Sequence, residues 1–118
     1  MRQPTIYHNP RCSKSRATLA LLTSRGFSPR VIDYIQTPPS QAEVERLLAL
    51  LELEPRDVMR KEEEEYSALA LGDARLTSRQ LVAAISAHPR LLQRPIVVFG
   101  GKAAIGRPPE AVLAILPD

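Results

Sequence analysis

The sequence predicts an α/β domain on a mixed four-stranded sheet, in the order β-α-β, helical insertion, β-β-α. Three observations lead there. Two short strand-like runs, Thr5-Ile6-Tyr7 and Val31-Ile32-Asp33-Tyr34-Ile35, flank a run with helical spacing. A stretch from about 38 to 90 carries helix signals only. The apolar run Ile96-Val97-Val98-Phe99 is followed by Gly100-Gly101 and a second strand-like run, a hairpin pattern.

Taken in order, Thr5 to His8 suit a short strand, closed by the turn residues Asn9-Pro10. Ala17, Leu19, Ala20, Leu21 and Leu22 place a helix over Ser13 to Ser24, with Gly26 as its C-terminal stop. A helix of this length joining two short strands predicts a right-handed βαβ unit with parallel strands. In the insertion, Ser40 followed by Glu43 reads as a capping box for a helix to about Leu51, and Glu54-Pro55 opens a helical turn through Met59. The acidic run Glu62 to Glu65 reads as a solvated face or a helix start, since no histidine or suitably spaced carboxylate accompanies it to make a metal site. Thr77-Ser78 caps a helix carrying Leu81, Val82 and Ile85, which His88-Pro89 stops. Lys102 to Ile105 is the returning strand, and Pro108-Pro109-Glu110 opens a last helix ending at Leu116. The whole, residues 1–118, is expected to be one domain with its helical insertion at about 38–90.

Composition narrows the function classes. A chain of 118 residues with 44% hydrophobic residues has material for a single core. Its longest apolar runs, such as Leu47-Leu48-Ala49-Leu50-Leu51, fall well short of the roughly 20 residues a membrane span needs. The N-terminus Met1-Arg2-Gln3-Pro4 has no apolar signal-peptide region. A soluble, cytoplasmic protein is expected, and a lone cysteine agrees with a reducing compartment. The net charge is +3, but the 16 basic residues are scattered and aromatics make up only 4%, so the stacking and phosphate pattern of a nucleic-acid surface is missing. No apolar heptad or spare hydrophobic face is evident, so a monomer is expected.

The chemistry centres on Cys12, the one cysteine, placed where the first strand gives way to the first helix. The helix start favours a thiolate through its dipole and its free N–H groups, and Arg11, Lys14 and Arg16 add positive potential. In Cys12-Ser13-Lys14-Ser15 a serine stands where a dithiol oxidoreductase carries its resolving cysteine. Any redox cycle at Cys12 must therefore be completed by an outside thiol. His8, at the strand end, is open to two readings: a partner of the thiolate, or a strand-end surface residue.

Without the insertion, the order β-α-β-β-β-α, a cysteine at the first βα turn and an X-Pro step entering the third strand outline a thioredoxin/glutaredoxin-like domain. In such folds the proline before that strand, here Pro95, is usually cis and lies against the active cysteine, which would bring Arg94 to the sulfur. Tyr7-His8-Asn9-Pro10-Arg11-Cys12-Ser13-Lys14-Ser15-Arg16, then Pro38-Pro39-Ser40, Arg60-Lys61 with Tyr66, Arg94-Pro95-Ile96-Val97 and Gly106-Arg107-Pro108, resemble the glutaredoxin-coupled arsenate reductase family in order across nearly the whole chain.

The resemblance implies that Cys12 is the catalytic cysteine, that Arg60, Arg94 and Arg107 bind the anion, and that arsenate is the substrate. Guanidinium forks suit a tetrahedral oxyanion and stay charged. Main-chain N–H groups around Ser13 to Ser15 would add to the anion site, and Ser15 would donate to the thiolate or the oxyanion. The implied reaction has Cys12 attack arsenic and expel water. Glutathione then adds as co-substrate, and glutaredoxin takes the glutathione as arsenite leaves; no bound cofactor, metal or flavin is needed. Several family members continue beyond the position of Asp118, which touches partner docking more than the chemistry. Two other readings share the fold: a glutathione-linked thiol oxidoreductase or deglutathionylating enzyme working through Cys12, and a redox-related RNA-polymerase-binding regulator. The regulators resemble dithiol C-x-x-C proteins, and Ser15 stands in place of the second thiol here.

Overall fold

The structure, a computed structural model, describes residues 3–117. Its contacts group the chain into two compact units, one of residues 1–37 with 94–118 and one of residues 38–93.

The first unit holds the sheet. Strand β1 (Thr5–His8) leads through a turn closed by the Cys12 N–H on the Asn9 carbonyl, 3.0 Å, into helix α1 (Ser13–Ser24) and then strand β2 (Arg30–Asp33). Strands β3 (Ile96–Phe99) and β4 (Lys102–Ile105) complete it. The strand order is β2-β1-β3-β4, with β1 and β2 parallel and the other neighbours antiparallel. The mixed four-stranded sheet is as the sequence predicts. Gly100 and Gly101 turn the hairpin with φ of 58° and 79°, a conformation that side chains with a Cβ resist. At the end of α1, Gly26 takes φ 87° and the Phe27 N–H closes on the Leu22 carbonyl at 3.1 Å.

The core of this unit forms around Ile6, Leu22, Val97 and Val112, each fully buried. Burying such a side chain contributes about 1.5–3 kcal/mol. From the apolar cluster read in the sequence, Leu22 is buried in this core and Leu19 and Leu21 pack against it, and the buried face of α1 also carries two polar residues, Ser15 and Thr18. Thr18 tolerates burial because its hydroxyl donates to the Lys14 carbonyl one turn back, 2.8 Å.

Two boundaries differ from expectation. Strand β2 ends at Asp33 rather than Ile35, because the Asp33 carboxylate accepts the N–H groups of Ile35 (3.1 Å) and Gln36 (3.2 Å) and folds the chain into a turn. The last helix is a 3-10 helix over Pro109–Ile115, with the Ala111 N–H on the Pro108 carbonyl at one end and the Leu116 N–H on the Leu113 carbonyl at the other.

The second unit is helical. Helix α2 (Gln41–Leu51) starts with the Ser40 hydroxyl accepting the Glu43 N–H at 3.1 Å. A 3-10 turn (Pro55–Val58) and the short helix α3 (Glu64–Ala68) follow, so the acidic run is a helix start. Helix α4 (Ser78–Ala87) has a reciprocal capping box between Thr77 and Gln80. The α2 and α4 helices contact one another and bury Val44, Leu47, Leu48, Leu81, Val82 and Ile85.

Candidate active site

The parallel pairing of β1 and β2 and the antiparallel entry of β3 gather four chain segments at one sheet edge. His8 lies opposite Asp33, Tyr7 opposite Ile96, and Ile96 opposite Ile105. The residues just beyond those positions are Asn9 to Cys12, Tyr34, Arg94-Pro95 and Gly106-Arg107. Carboxyl ends of parallel strands are the usual ligand edge of an open α/β sheet.

Cys12 is the N-cap residue of α1, with extended backbone at φ −97° and ψ 123°, and it is half-buried. Arg107 donates from Nη2 to Cys12 Sγ across 3.7 Å, and from Nε to the Arg94 carbonyl at 2.9 Å, so one guanidinium ties the sulfur to the β3 entry. The sulfur makes no cap hydrogen bond of standard geometry with the helix. Burial pushes the Cys12 thiol up. Against it act the Ser15 N–H, the Arg94 side chain through hydrogen bonding and charge, and the Lys14 N–H, and together they hold the pKa below that of an ordinary thiol. Such a thiol is biased toward the nucleophilic thiolate.

Ser15 and His8 turn out to be each other's partners. The His8 Nδ1 lies 2.6 Å from the Ser15 hydroxyl oxygen, which also accepts the Asn9 N–H at 3.0 Å. Expected to reach the thiolate or an oxyanion, the Ser15 hydroxyl is buried and occupied; what Ser15 offers the sulfur is its main-chain N–H. His8 is buried rather than a surface residue, and its partner is Ser15 rather than the sulfur. Burial holds the His8 imidazole below its ordinary pKa, with Asp33 pulling it up and Arg16 pushing it down.

Pro95 is buried behind the edge, after a cis Arg94-Pro95 bond as the sequence suggested, and its carbonyl accepts the Gly106 N–H at 2.9 Å. A second cis bond precedes Pro108. Arg60 belongs to the helical unit. Its N–H donates to the Leu91 carbonyl at 2.6 Å, and its guanidinium meets the carboxylates of Glu62 (3.2 Å) and Glu63 (3.0 Å), the latter also taking Arg90 at 3.4 Å. The structure thus places Cys12, Ser15, His8, Arg94, Pro95 and Arg107 in one unit, and gives Arg60 carboxylate partners within the other.

One residue at the edge escaped the sequence reading. Tyr34 is completely buried, and among the described residues its hydroxyl has no hydrogen-bond partner. The sequence pattern places it inside a second strand running to Ile35, and only the stop of β2 at Asp33 brings it to the ligand edge. Among the described residues no group of three or more His, Cys, Asp or Glu side chains could hold a metal ion. The cavity of about 140 Å³ lined by Arg25, Phe27, Leu113, Leu116 and Pro117 contains none of the groups at the edge.

A cysteine at the start of the first helix of a mixed four-stranded sheet, with a cis proline opening β3, defines a thioredoxin-like protein. Comparison with known proteins narrows the class: residues 7–115 match the ArsC family model. The chain is 48% identical over 116 residues to "Uncharacterized protein YfgD" of Escherichia coli K12, covering 98% of each chain. It is 46% identical over 112 residues to an arsenate reductase of Neisseria meningitidis, covering 94% of this chain and 96% of that one. Among solved structures, an arsenate reductase from Vibrio cholerae superposes with a TM-score of 0.96 at 53% identity, covering 98% of both chains. The chain belongs to the ArsC family. No helix of the described residues is long and apolar enough to cross a membrane.

Proposed function

We propose that this protein is an arsenate reductase in which Cys12 attacks the substrate and glutathione and glutaredoxin supply the reducing thiols. The observation that carries the reading is the environment of Cys12 Sγ, a thiol of lowered pKa with Arg107 at 3.7 Å and Arg94 acting on it. A cysteine that only packed would gain nothing from two arginines, whereas a dianionic oxyanion needs fixed positive donors beside the nucleophile. Relatives named arsenate reductase at 46% identity over nearly the full chain support the substrate.

In this reading the Cys12 thiolate forms a sulfur–arsenic(V) bond and a water leaves, its oxygen taken from the oxyanion. Arg94 and Arg107 hold the remaining oxygens; a role for Arg60 in binding the anion is implied by the family resemblance alone. Glutathione condenses at the same arsenic with loss of a second water. A glutaredoxin thiol then takes the glutathione sulfur as a mixed disulfide, and the electron pair of the broken arsenic–sulfur bond stays on arsenic, which becomes trivalent. Hydrolysis of the remaining bond releases arsenite and restores Cys12. The lack of a second cysteine matches this scheme, because both reducing thiols come from outside. We place the protein in the cytoplasm, where those thiols are available, acting as one domain and as a monomer without a bound cofactor.

The test is turnover. Purified protein with glutathione and glutaredoxin is expected to convert arsenate to arsenite, and Cys12→Ser to abolish it. Full activity of the serine variant would overturn the mechanism; reduction of glutathione mixed disulfides without arsenate turnover would favour a thiol oxidoreductase instead.

A further inference from the structure

Tyr34 stands at the Cys12 edge as a buried polar side chain whose hydroxyl, among the described residues, is unpaired. It directly follows β2, and since His8 stands opposite Asp33 in the β1–β2 ladder, it lies beside Asn9 at the start of the turn that carries Cys12. None of its surface reaches solvent, and its hydroxyl has no hydrogen-bond partner among the described residues. Buried polar groups are nearly always paired, so an unpaired one calls for an account of what completes it.

The surroundings say what that is. Burial raises the Tyr34 pKa, the nearby Arg94 guanidinium and Asn9 side chain pull it down without making a hydrogen bond of standard geometry to it, and the Cys12 charge pushes it up. The phenol therefore keeps its proton at neutral pH and offers an O–H. Arg94 and Asn9 present N–H donors to it, so they leave that proton without an acceptor. The groups around it are the ones that surround the sulfur, which makes the missing acceptor a group seated over Cys12.

We propose that the Tyr34 hydroxyl is a hydrogen-bond donor to the oxyanion bound at Cys12, completing a site otherwise made of arginines and main-chain N–H groups. This rests on the oxyanion reading of the site. A neutral donor has a distinct use there. It binds an oxygen of the oxyanion without adding positive charge, and its bond strengthens as that oxygen gains charge in the adduct.

Tyr34→Phe removes the hydroxyl and keeps the ring. The experiment is protection of Cys12 from alkylation by iodoacetamide in the presence of arsenate or of inorganic phosphate, which reads anion binding without glutathione or glutaredoxin. The expected result is a rise of about tenfold in the anion concentration giving half-protection, the loss of one hydrogen bond to a charged group. The alkylation rate without anion should stay unchanged, and the thermal midpoint should be unchanged or higher. Equal protection in the two proteins overturns the role of Tyr34 alone. Absence of protection in the wild type overturns the oxyanion reading and Tyr34's part with it. A phenylalanine variant that loses its fold shows the hydroxyl to be structurally bonded, which also overturns the proposal.

Discussion

The Ser15 hydroxyl lies 2.6 Å from the imidazole of His8, seven residues earlier in the chain. The pair spans the turn that bears Cys12, with one end on the last residue of β1 and the other in the first turn of α1. Because the same hydroxyl oxygen accepts the Asn9 N–H, three residues from the two ends of the turn meet on one atom. The arrangement fixes the backbone that presents the sulfur. It also assigns the C-x-x-S serine a different task from the one its position suggests: its side chain holds the turn and its N–H serves the thiol.

Ser15→Ala should therefore cost stability rather than thiol reactivity. The substitution leaves the Asn9 N–H and the His8 nitrogen without their partner at a buried site, a loss of about 1–3 kcal/mol. Urea unfolding is expected to show that loss. The Cys12 titration, followed by thiolate absorbance, should stay near its wild-type position, because the Ser15 group acting on the sulfur is the main chain. A large upward move of the Cys12 pKa would show that the hydroxyl contacts the sulfur after all.

His8 gives the fold a pH dependence whose sign follows from its surroundings. Burial leads in lowering its pKa in the folded protein below the unfolded value of about 6.5. The unfolded chain then binds the proton more readily, so stability rises with pH between the two values. The contribution is fully present above about 6.5 and is lost as the pH falls through the folded value. The urea midpoint should drop as the pH is lowered from about 7 into that window, and His8→Asn, which retains a nitrogen or oxygen near the Ser15 hydroxyl, should flatten the drop. An identical slope in the variant would assign the dependence to other groups.

Much of this was open to the sequence, because it depends on local chemistry. Ser40 and Thr77 cap the helices they precede, Gly100-Gly101 turns the hairpin, and Cys12 stands at the head of α1. Arg94 and Arg107, far from Cys12 in the chain, are matched to the sulfur through the order of the family motifs, and the antiparallel β3–β4 ladder brings their flanking positions together. Features that depend on three-dimensional surroundings were not legible. Whether the Ser15 hydroxyl points to the sulfur or to His8 is decided by the path of β1 beside α1. The stop of β2 is decided by the Asp33 side chain, which caps its own turn although the apolar pattern continues to Ile35. Tyr34 reads as one more aromatic in a strand until its buried, unpaired hydroxyl is seen.

The two arginines at the site should be separable by experiment. Arg94 acts on the thiol through both a hydrogen bond and its charge, while Arg107, exposed, reaches it at 3.7 Å. Arg94→Ala is expected to move the pH profile of Cys12 alkylation upward, and Arg107→Ala to move it less. Each should lower arsenate kcat/KM at least about tenfold, since a hydrogen bond to a charged group contributes roughly 1.5–3 kcal/mol. Unchanged arsenate kinetics in both variants would separate the arginines from substrate binding.

Gly106 tests how tightly the edge is packed. It is buried between β4 and Arg107, and a Cβ placed on it would come within 2.5 Å of Thr18 Oγ1 and 2.8 Å of Pro95 Cγ. Neither neighbour yields easily. Thr18 is fully buried with its hydroxyl on the Lys14 carbonyl, and Pro95 is a closed ring whose carbonyl already receives the Gly106 N–H. Added volume at such a point forces α1 or the β3 entry to shift, at about 1–3 kcal/mol. Gly106→Ala is therefore expected to lower the urea midpoint and also to loosen the site, because the same shift displaces the segments that carry Cys12, Arg94 and Arg107. The Cys12 pKa should rise in the folded variant. A variant as stable as the wild type, with its thiol titration unmoved, would show that α1 and the proline can part without disturbing the sulfur.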